Sequence, residues 1–398
     1  MTAFTRIMVG LYLAIAALPF AVMTLKLPDH EIFGALPRAG IPELSVGGFR
    51  SEDYQKAYTV WFESRLGGKG YSIATDNAIL YHLFRDTKPG SAVGLGRRGV
   101  LFKDEDLAYY NKNGDDLPPQ ARVDALADKI GALQALLAAH HRALVPLIIP
   151  SKTTLYRSDV PPPWTRDLGQ PRPSDLQVYD AMKRALDARH IRYVDARALF
   201  TAPGVVREQV WGRQGRHWTT YGACLAMHDV MRDYGALAGV ATPAYDCLPG
   251  REWRPTTHDH FDLWNLLNLW RPPRINQVVP LAQHAAPPPG TATPSVMFVG
   301  TSFCWNIMHD ATASQRFGEM HMNYYNKTLV AWPVNIHTDV QPRSPAWRAV
   351  FLGKDLYVLD LLEVFLLAPD TYVDEFLAEV GGELAHTLGD APGPAKAP

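Results

Sequence analysis

The sequence predicts an α/β protein, a mostly parallel sheet with helices on both faces, standing behind one N-terminal transmembrane helix. Three observations carry that expectation. Short apolar runs at Leu144 to Ile149, Val296 to Val299 and Leu356 to Leu361 have the length and composition of strands buried on both faces. Segments with helical spacing of apolar residues alternate with them, as right-handed crossover connections require. Ahead of all this lies an uncharged stretch from Ile7 to Leu25, close to the ~20 residues that a helix needs to cross a bilayer.

That stretch follows Arg6 and precedes Lys26. Pro19 lies inside it, and Val22, Met23, Thr24 and Leu25 offer no small-x-small cleavage site, so it reads as an uncleaved anchor rather than a signal peptide. Arg6 on the short side places the N-terminus inside and the remaining chain outside. Residues 28–48 begin rich in Pro and Gly and read as a linker. The folded domain is expected over 49–385, after an anchor at 1–27, and a disordered tail over 386–398.

Within the domain, Tyr58, Trp61, Phe62 and Arg65, then Ile73, Asn77, Leu80, Tyr81 and Phe84, have helical spacing. Leu101 and Phe102 should form a short strand. Val123, Leu126, Ile130, Leu133 and Leu137 mark an amphipathic helix, and Leu144 to Ile149 a strand ended by Pro150. Ser174 can cap a helix through Leu176, Tyr179, Met182 and Leu186, followed by a strand from Ile191 to Val194. A helix from Thr220 to Tyr234 precedes the two remaining strands, and Gln283 to Pro294 is a Pro-rich surface connection.

Bulk properties narrow the function. The 398 residues are 47% hydrophobic, enough for a sizeable core, and 39 basic against 40 acidic side chains give a formal net charge of -1. Binding nucleic acid through its backbone needs a basic stripe, so that class is excluded. Arg97 and Arg98, and Arg213 and Arg216, read as solvated turns. Cys224, Cys247 and Cys304 have no CxxC spacing, so no zinc knuckle or redox motif is indicated. Cys224 and Cys247 either pair in an oxidising compartment or stay as buried thiols.

The chemistry concentrates in two segments. From Ser295 to Trp305 an apolar strand runs into Gly300, Thr301, Ser302 and Phe303, which puts Ser302 at the carboxyl end of a strand, where α/β sheets bind ligands. Gly300 and Thr301 form the turn whose amides can stabilise an oxyanion. A serine needs a base, and His217 is positioned to be one: it precedes a helix that Thr219 or Thr220 can cap, with Trp218 to pack behind it.

In this order the two segments resemble the alginate acetyltransferase family of SGNH-hydrolase-like proteins, periplasmic partners of membrane-bound O-acyltransferases. In that family an Asp-x-His-Trp-Thr-like motif precedes a Gly-Thr-Ser-Phe-like one. The chain matches at His217, Trp218, Thr219 and Gly222, and at Gly300, Thr301, Ser302 and Phe303. Looser matches at Phe62, Glu63 and Arg65, at Gly99 to Phe102, at Pro150 and Lys152, and over Asp355 to Glu363 extend the resemblance from Tyr58 to Leu367. It implies a three-layer α/β/α SGNH-like fold.

One departure matters: Gly215 stands where the family has its triad aspartate. Without a substitute acid, about four orders of magnitude in rate are at stake. Three readings stay open: a carboxylate from elsewhere (Glu208, Asp229, Asp259 or Asp262), a backbone carbonyl in a working dyad, or a degenerate site. His258, Asp259, His260 and Asp262 are dense enough to suggest a divalent ion, but a helix starting here would separate them, so they read as a polar helix start. Neither metal nor cofactor is expected. His309 and Asp310 can line the same cleft, and Trp264, Trp270, Trp305 and Trp332 can offer stacking platforms for sugar rings.

The resemblance implies an O-acetyltransferase carrying acetyl through Ser302, with His217 as base, onto hydroxyls of an alginate- or cellulose-like exopolysaccharide. The alternatives are an acetyl esterase using the same residues and a noncatalytic polysaccharide-binding or assembly subunit. The implied partners are a membrane-bound O-acyltransferase as donor, the polymer as acceptor, and other assembly subunits, with the chain anchored in the inner membrane and its domain in the periplasm.

Overall fold

A computed structural model describes residues 2–34, 40–110, 120–161, 177–253, 260–271, 279–288, 291, 293–339, 342–366, 368 and 370–389. The chain divides into two compact units, residues 1–95 with 262–274, and residues 96–261 with 275–398.

The first unit is helical. Helix α1 (Ala3–Thr24) is long and apolar enough to span a membrane, and only Val22 in it is buried. Helices α2 (Asp53–Glu63) and α3 (Lys69–Ile79) follow. The Asp29 carboxylate accepts from the amides of Gly70 and Tyr71 at 3.3 and 3.2 Å, satisfying first-turn donors of α3. Residues 262–271 return to this unit: Asn77 Nδ2 donates to the Leu267 carbonyl at 2.8 Å, and the Trp270 ring lies 5.5 Å from both His30 and Tyr71.

The second unit carries the sheet. Its elements include α4 (Asp104–Tyr110), α5 (Gln120–Ala139), β1 (Ala143–Ile149), α6 (Lys152–Leu155), α7 (Gln177–Ala188), β2 (Val194–Asp195), α8 (Thr220–Ala238), β3 (Val296–Gly300), α9 (Cys304–Ser314), β4 (Met320–Tyr324), β5 (Thr328–Trp332), β6 (Ile336–Asp339), β7 (Leu356–Leu362) and α10 (Tyr372–Gly389), and Leu101–Lys103 forms the short strand expected there. The strand order is β6-β5-β4-β3-β7-β1-β2. Pairings from β4 through β2 are parallel, and β5 and β6 extend the sheet antiparallel.

Alternation along the central strands makes the layers. Ala143, Val145, Leu147, Val296, Phe298, Leu356 and Val358 pack in one core with α8 and α9. Leu144, Ile148, Met297, Val299, Tyr357 and Leu359 pack in the other with α5, α7 and α10. This is the three-layer α/β/α arrangement that the apolar runs predicted, because a strand buried on both faces has no polar side to show.

Three differences from the sequence reading have local causes. The strand expected from Ile191 forms only over Val194–Asp195, because His190 takes a positive φ and Ile191 turns its amide to the Leu186 carbonyl. Strands β4 to β6 were not expected: His321 and Asn323 interrupt the apolar pattern of β4, and every residue of β6 is exposed. Helix α10 continues to Gly389, into the stretch read as tail. Cys224 and Cys247 form a disulfide, and Cys304 is free and buried.

Candidate active site

The carboxyl ends of β1, β3, β4 and β7 lie side by side, and the chain leaves β1 toward one edge of the sheet and β3 toward the other. That reversal is where α/β sheets open a crevice. Ser302 stands at the end of β3, before α9.

Its turn is held from β7. Asp360 Oδ2 accepts from the Thr301 amide at 2.9 Å and the Thr301 hydroxyl at 2.6 Å, with Cys304 Sγ at 3.8 Å. A Cβ on residue 300 would lie 2.3 Å from the Asp360 Cβ, so only glycine lets the two strands' ends approach this closely. The expectation that Thr301 serves an oxyanion is therefore corrected: its amide is spent on Asp360, and Gly300 is there for packing. Among the described residues, the Ser302 amide makes no hydrogen bond, which leaves it as the donor in the turn.

His217 comes from the loop ahead of α8. The Thr219 hydroxyl caps α8 by accepting from the Gly222 amide at 3.0 Å, and its own amide donates to Val210 at 2.9 Å. A Cβ at Gly222 would meet the Val210 carbonyl oxygen at 2.5 Å, which accounts for the glycine in this motif. Trp218 Nε1 donates to the Phe303 carbonyl at 3.0 Å, tying the neighbour of the histidine to the neighbour of the serine. The Phe303 ring sits 4.9 Å from His217 and 5.7 Å from Trp218. His217 Nε2 and Ser302 Oγ end up 2.8 Å apart.

Below the loop, the buried ammonium of Lys152 donates to the carbonyls of Arg213 at 2.8 Å and Gly215 at 2.5 Å. Residue 215 thus contributes a carbonyl to a structural bond. Glu208 is engaged by Arg213 at 3.0 Å and Arg207 at 3.5 Å, and Asp229 by Arg232 at 2.6 Å. Asp262 opens a short helix of the first unit, its Oδ1 accepting from the Leu263 amide at 2.8 Å. Asp259 and His258 lie outside the described residues, and His260 is buried.

A buried carboxylate that the sequence reading did not single out lies within electrostatic reach of Arg216, Lys152 and His217. Asp106, buried in α4, has its pKa pushed up to about 6 by burial, against the pull of Arg216, Lys152 and His217. Arg216 pairs with Glu105 at 2.9 Å. The Tyr325 amide donates to the Gly300 carbonyl at 2.9 Å, and burial, followed by the Tyr324 phenol, raises the pKa of its own phenol. Asp360 had a signal that the sequence reading passed over, an acid inside an apolar strand. Asp106 and Tyr325 had no such signal.

Of the other candidates, Asp310 is buried away in bonds from Tyr245 at 2.6 Å and with His284 at 2.9 Å, whereas His309 is exposed beside Trp332. Cys224, His284 and Asp310 cluster closely, but the Cys224 sulfur is committed to its disulfide. Trp305 and Trp332 belong to the sheet unit; Trp264 and Trp270 belong to the helical one.

Comparison with known proteins gives the family of the domain. Residues 93–317, more than half of the chain, match the family model of the SGNH hydrolase-like domain, acetyltransferase AlgX. No curated protein matches by sequence. Similar solved structures include the O-acetyltransferase domain of Pseudomonas putida AlgJ, 19% identical with a TM-score of 0.44, covering 73% of this chain and 99% of that one. Pseudomonas aeruginosa AlgX is 14% identical with a TM-score of 0.43, covering 70% and 64%. Bacillus cereus PatB1 is 11% identical with a TM-score of 0.40, covering 69% and 97%.

Proposed function

We propose, for a chain that belongs to the family of SGNH hydrolase-like, AlgX-type acetyltransferase domains, that it acetylates hydroxyls of an exopolysaccharide through an acetyl-enzyme on Ser302. The observation that carries this reading is the 2.8 Å separation of His217 Nε2 and Ser302 Oγ at the carboxyl edge of the sheet. Within that distance a neutral imidazole takes the hydroxyl proton as the oxygen attacks the acetyl carbonyl. The Ser302 amide faces the developing oxyanion. The donor's leaving group departs with the proton from Nε2. A sugar hydroxyl then loses its proton to the same nitrogen and attacks the acetyl carbon, and Ser302 Oγ leaves as the proton returns to it.

Asp106 takes the electrostatic part of the missing aspartate. Its carboxylate stabilises the imidazolium through space, in a setting where Arg216 and Lys152 keep it ionised above about pH 6. The apolar helix α1 anchors the chain in the inner membrane, beside a membrane-bound O-acyltransferase that presents acetyl, and the catalytic unit lies in the periplasm with other assembly subunits. The Cys224–Cys247 disulfide favours that oxidising side. The acceptor is alginate- or cellulose-like.

The test is hydrolysis of p-nitrophenyl acetate, and acetyl transfer to unmodified polymer, by the full chain in detergent. Ser302→Ala and His217→Ala are each expected to fall by about 10³-fold or more. Equal activity in all three chains would overturn the assignment in favour of a noncatalytic subunit, and acetate release without any transfer would make the chain an esterase.

A further inference from the structure

Beyond the reacting pair, the rim of the crevice carries a continuous row of rings. It begins at Tyr325, whose amide donates to the Gly300 carbonyl at 2.9 Å, at the turn that carries Ser302. Tyr324 lies 4.6 Å from Tyr325 and 5.7 Å from Trp305; Trp305 lies 6.1 Å from Trp332 and 6.0 Å from His337, stacked at 25°; His309 lies 4.9 Å from Trp332. Two elements hold the row in place. Trp305 is in the first turn of α9, its amide donating to the Ser302 carbonyl at 3.3 Å, and Trp332 ends β5, its indole donating to Thr312 of the same helix at 2.6 Å.

Tyr324, Trp305 and Trp332 pack against the core from one side only and stay partly exposed on the other, while His309 and His337 are exposed. Folding alone does not call for this. The hairpin that carries Trp332 and His337 is an edge whose last strand buries nothing, and Val334 and Ile336 on it are 67% and 58% exposed. Rings held rigid by hydrogen bonds, half packed and half wet, suit a ligand with an apolar face and a polar rim. A pyranose has that form, with C–H bonds on its faces and hydroxyls at its edge.

Charge narrows the class. Arg216, whose charge reaches the phenols of Tyr324 and Tyr325, is matched by Glu105 at 2.9 Å and by Asp106. Among the described residues, no arginine enters the row, and Lys327 at the hairpin tip is exposed, where salt screens it. Among the described residues, a carboxylated ring on this row would find no fixed counter-charge beyond Arg216, which Glu105 and Asp106 already match.

We propose that Tyr324, Trp305 and Trp332, edged by His309 and His337, form the acceptor subsite of this transferase, and that it holds neutral pyranose rings in line with Ser302. The proposal rests on the Ser302–His217 reading for its role, but binding can be measured without turnover. The experiment is calorimetric titration of the full-length Ser302→Ala chain in detergent with cellohexaose and with a mannuronate hexamer, at ~0.15 M salt. Cellohexaose is expected to bind at least tenfold more tightly than the mannuronate hexamer.

Trp332→Ala in the same background should weaken cellohexaose at least tenfold and Trp332→Phe should recover most of it. His337→Ala, on the exposed edge, should weaken it about threefold, which covers the case in which Trp332→Ala misfolds. In the active chain, Trp332→Ala should raise the acceptor KM by a larger factor than it lowers kcat. Cellohexaose binding that ignores both Trp332 and His337 overturns the subsite. Mannuronate binding as tightly as cellohexaose overturns the neutral class. Ring-dependent binding in a wild-type chain that never transfers acetyl would leave the subsite standing and remove the catalytic reading instead.

Discussion

In the proposed mechanism Asp106 carries, near His217, the charge that the family's aspartate would supply. Burial pushes its pKa up to about 6, so it is neutral below that pH and charged above it. Only the charged form stabilises an imidazolium at His217. Acetyl transfer is therefore expected to climb between about pH 5 and pH 7 as Asp106 ionises. Asp106→Asn keeps the shape and removes the charge. It should lower kcat/KM by about 10- to 100-fold, ~1.4 to 2.7 kcal/mol of transition-state stabilisation, and flatten that climb. A pH profile of the variant with the wild-type slope would reduce Asp106 to a structural part of α4.

At the scale of elements, β7 organises the site from the middle of the sheet. Asp360 holds the serine turn after β3. Just past the end of β7, Glu363 accepts from the Ser151 amide at 2.7 Å, Tyr109 at 2.8 Å and Thr154 at 3.0 Å, and so holds the start of the helix after β1. Burial pushes these acids up to about 6 and about 7 against their own hydrogen bonds. Folded-state values above the unfolded ones mean that the stability from the protonated acids is full below about pH 4. It is lost as pH rises toward 7, by an order of 3 kcal/mol for each group. Urea unfolding at several pH values should show this decline, and Asp360→Asn should remove the share of it that ends near pH 6. The acid in the Leu356–Leu362 run was passed over in the sequence reading, although an apolar strand has little other reason to carry one. The apolar strands, the capped start of α8 and the Gly300-Thr301-Ser302 turn were visible for local reasons. Strands β4 to β6 were not, since an edge hairpin with exposed residues has no apolar period to read. Asp106 and Tyr325 were not, since their approach to the pair follows from the packing of α4 and of the β4–β5 turn against β3.

For the whole molecule, the disulfide joins the fold to the compartment. Cys224 lies in the second turn of α8, the helix whose start positions His217, and it is bonded to Cys247 across a sequence separation of 23 residues. Closing a loop of that length restricts the unfolded chain by about 3 kcal/mol in the chain-entropy account. A chain folded in a reducing compartment would forgo that stabilisation and, with it, part of the rigidity beneath the histidine loop. The third cysteine, Cys304, is buried beside Asp360, where desolvation raises its thiol pKa well above the ordinary value, so it does not exchange readily with the disulfide. Thiol counting separates these roles. The native chain should expose no reactive thiol, the unfolded unreduced chain one, and the unfolded reduced chain all three of its cysteines. Cys224→Ala with Cys247→Ala should then lower unfolding free energy by about 2 to 4 kcal/mol. Transfer activity should fall less than stability does at temperatures well below unfolding, because the Ser302–His217 contact is held by Trp218, Phe303 and Lys152 rather than by the disulfide itself.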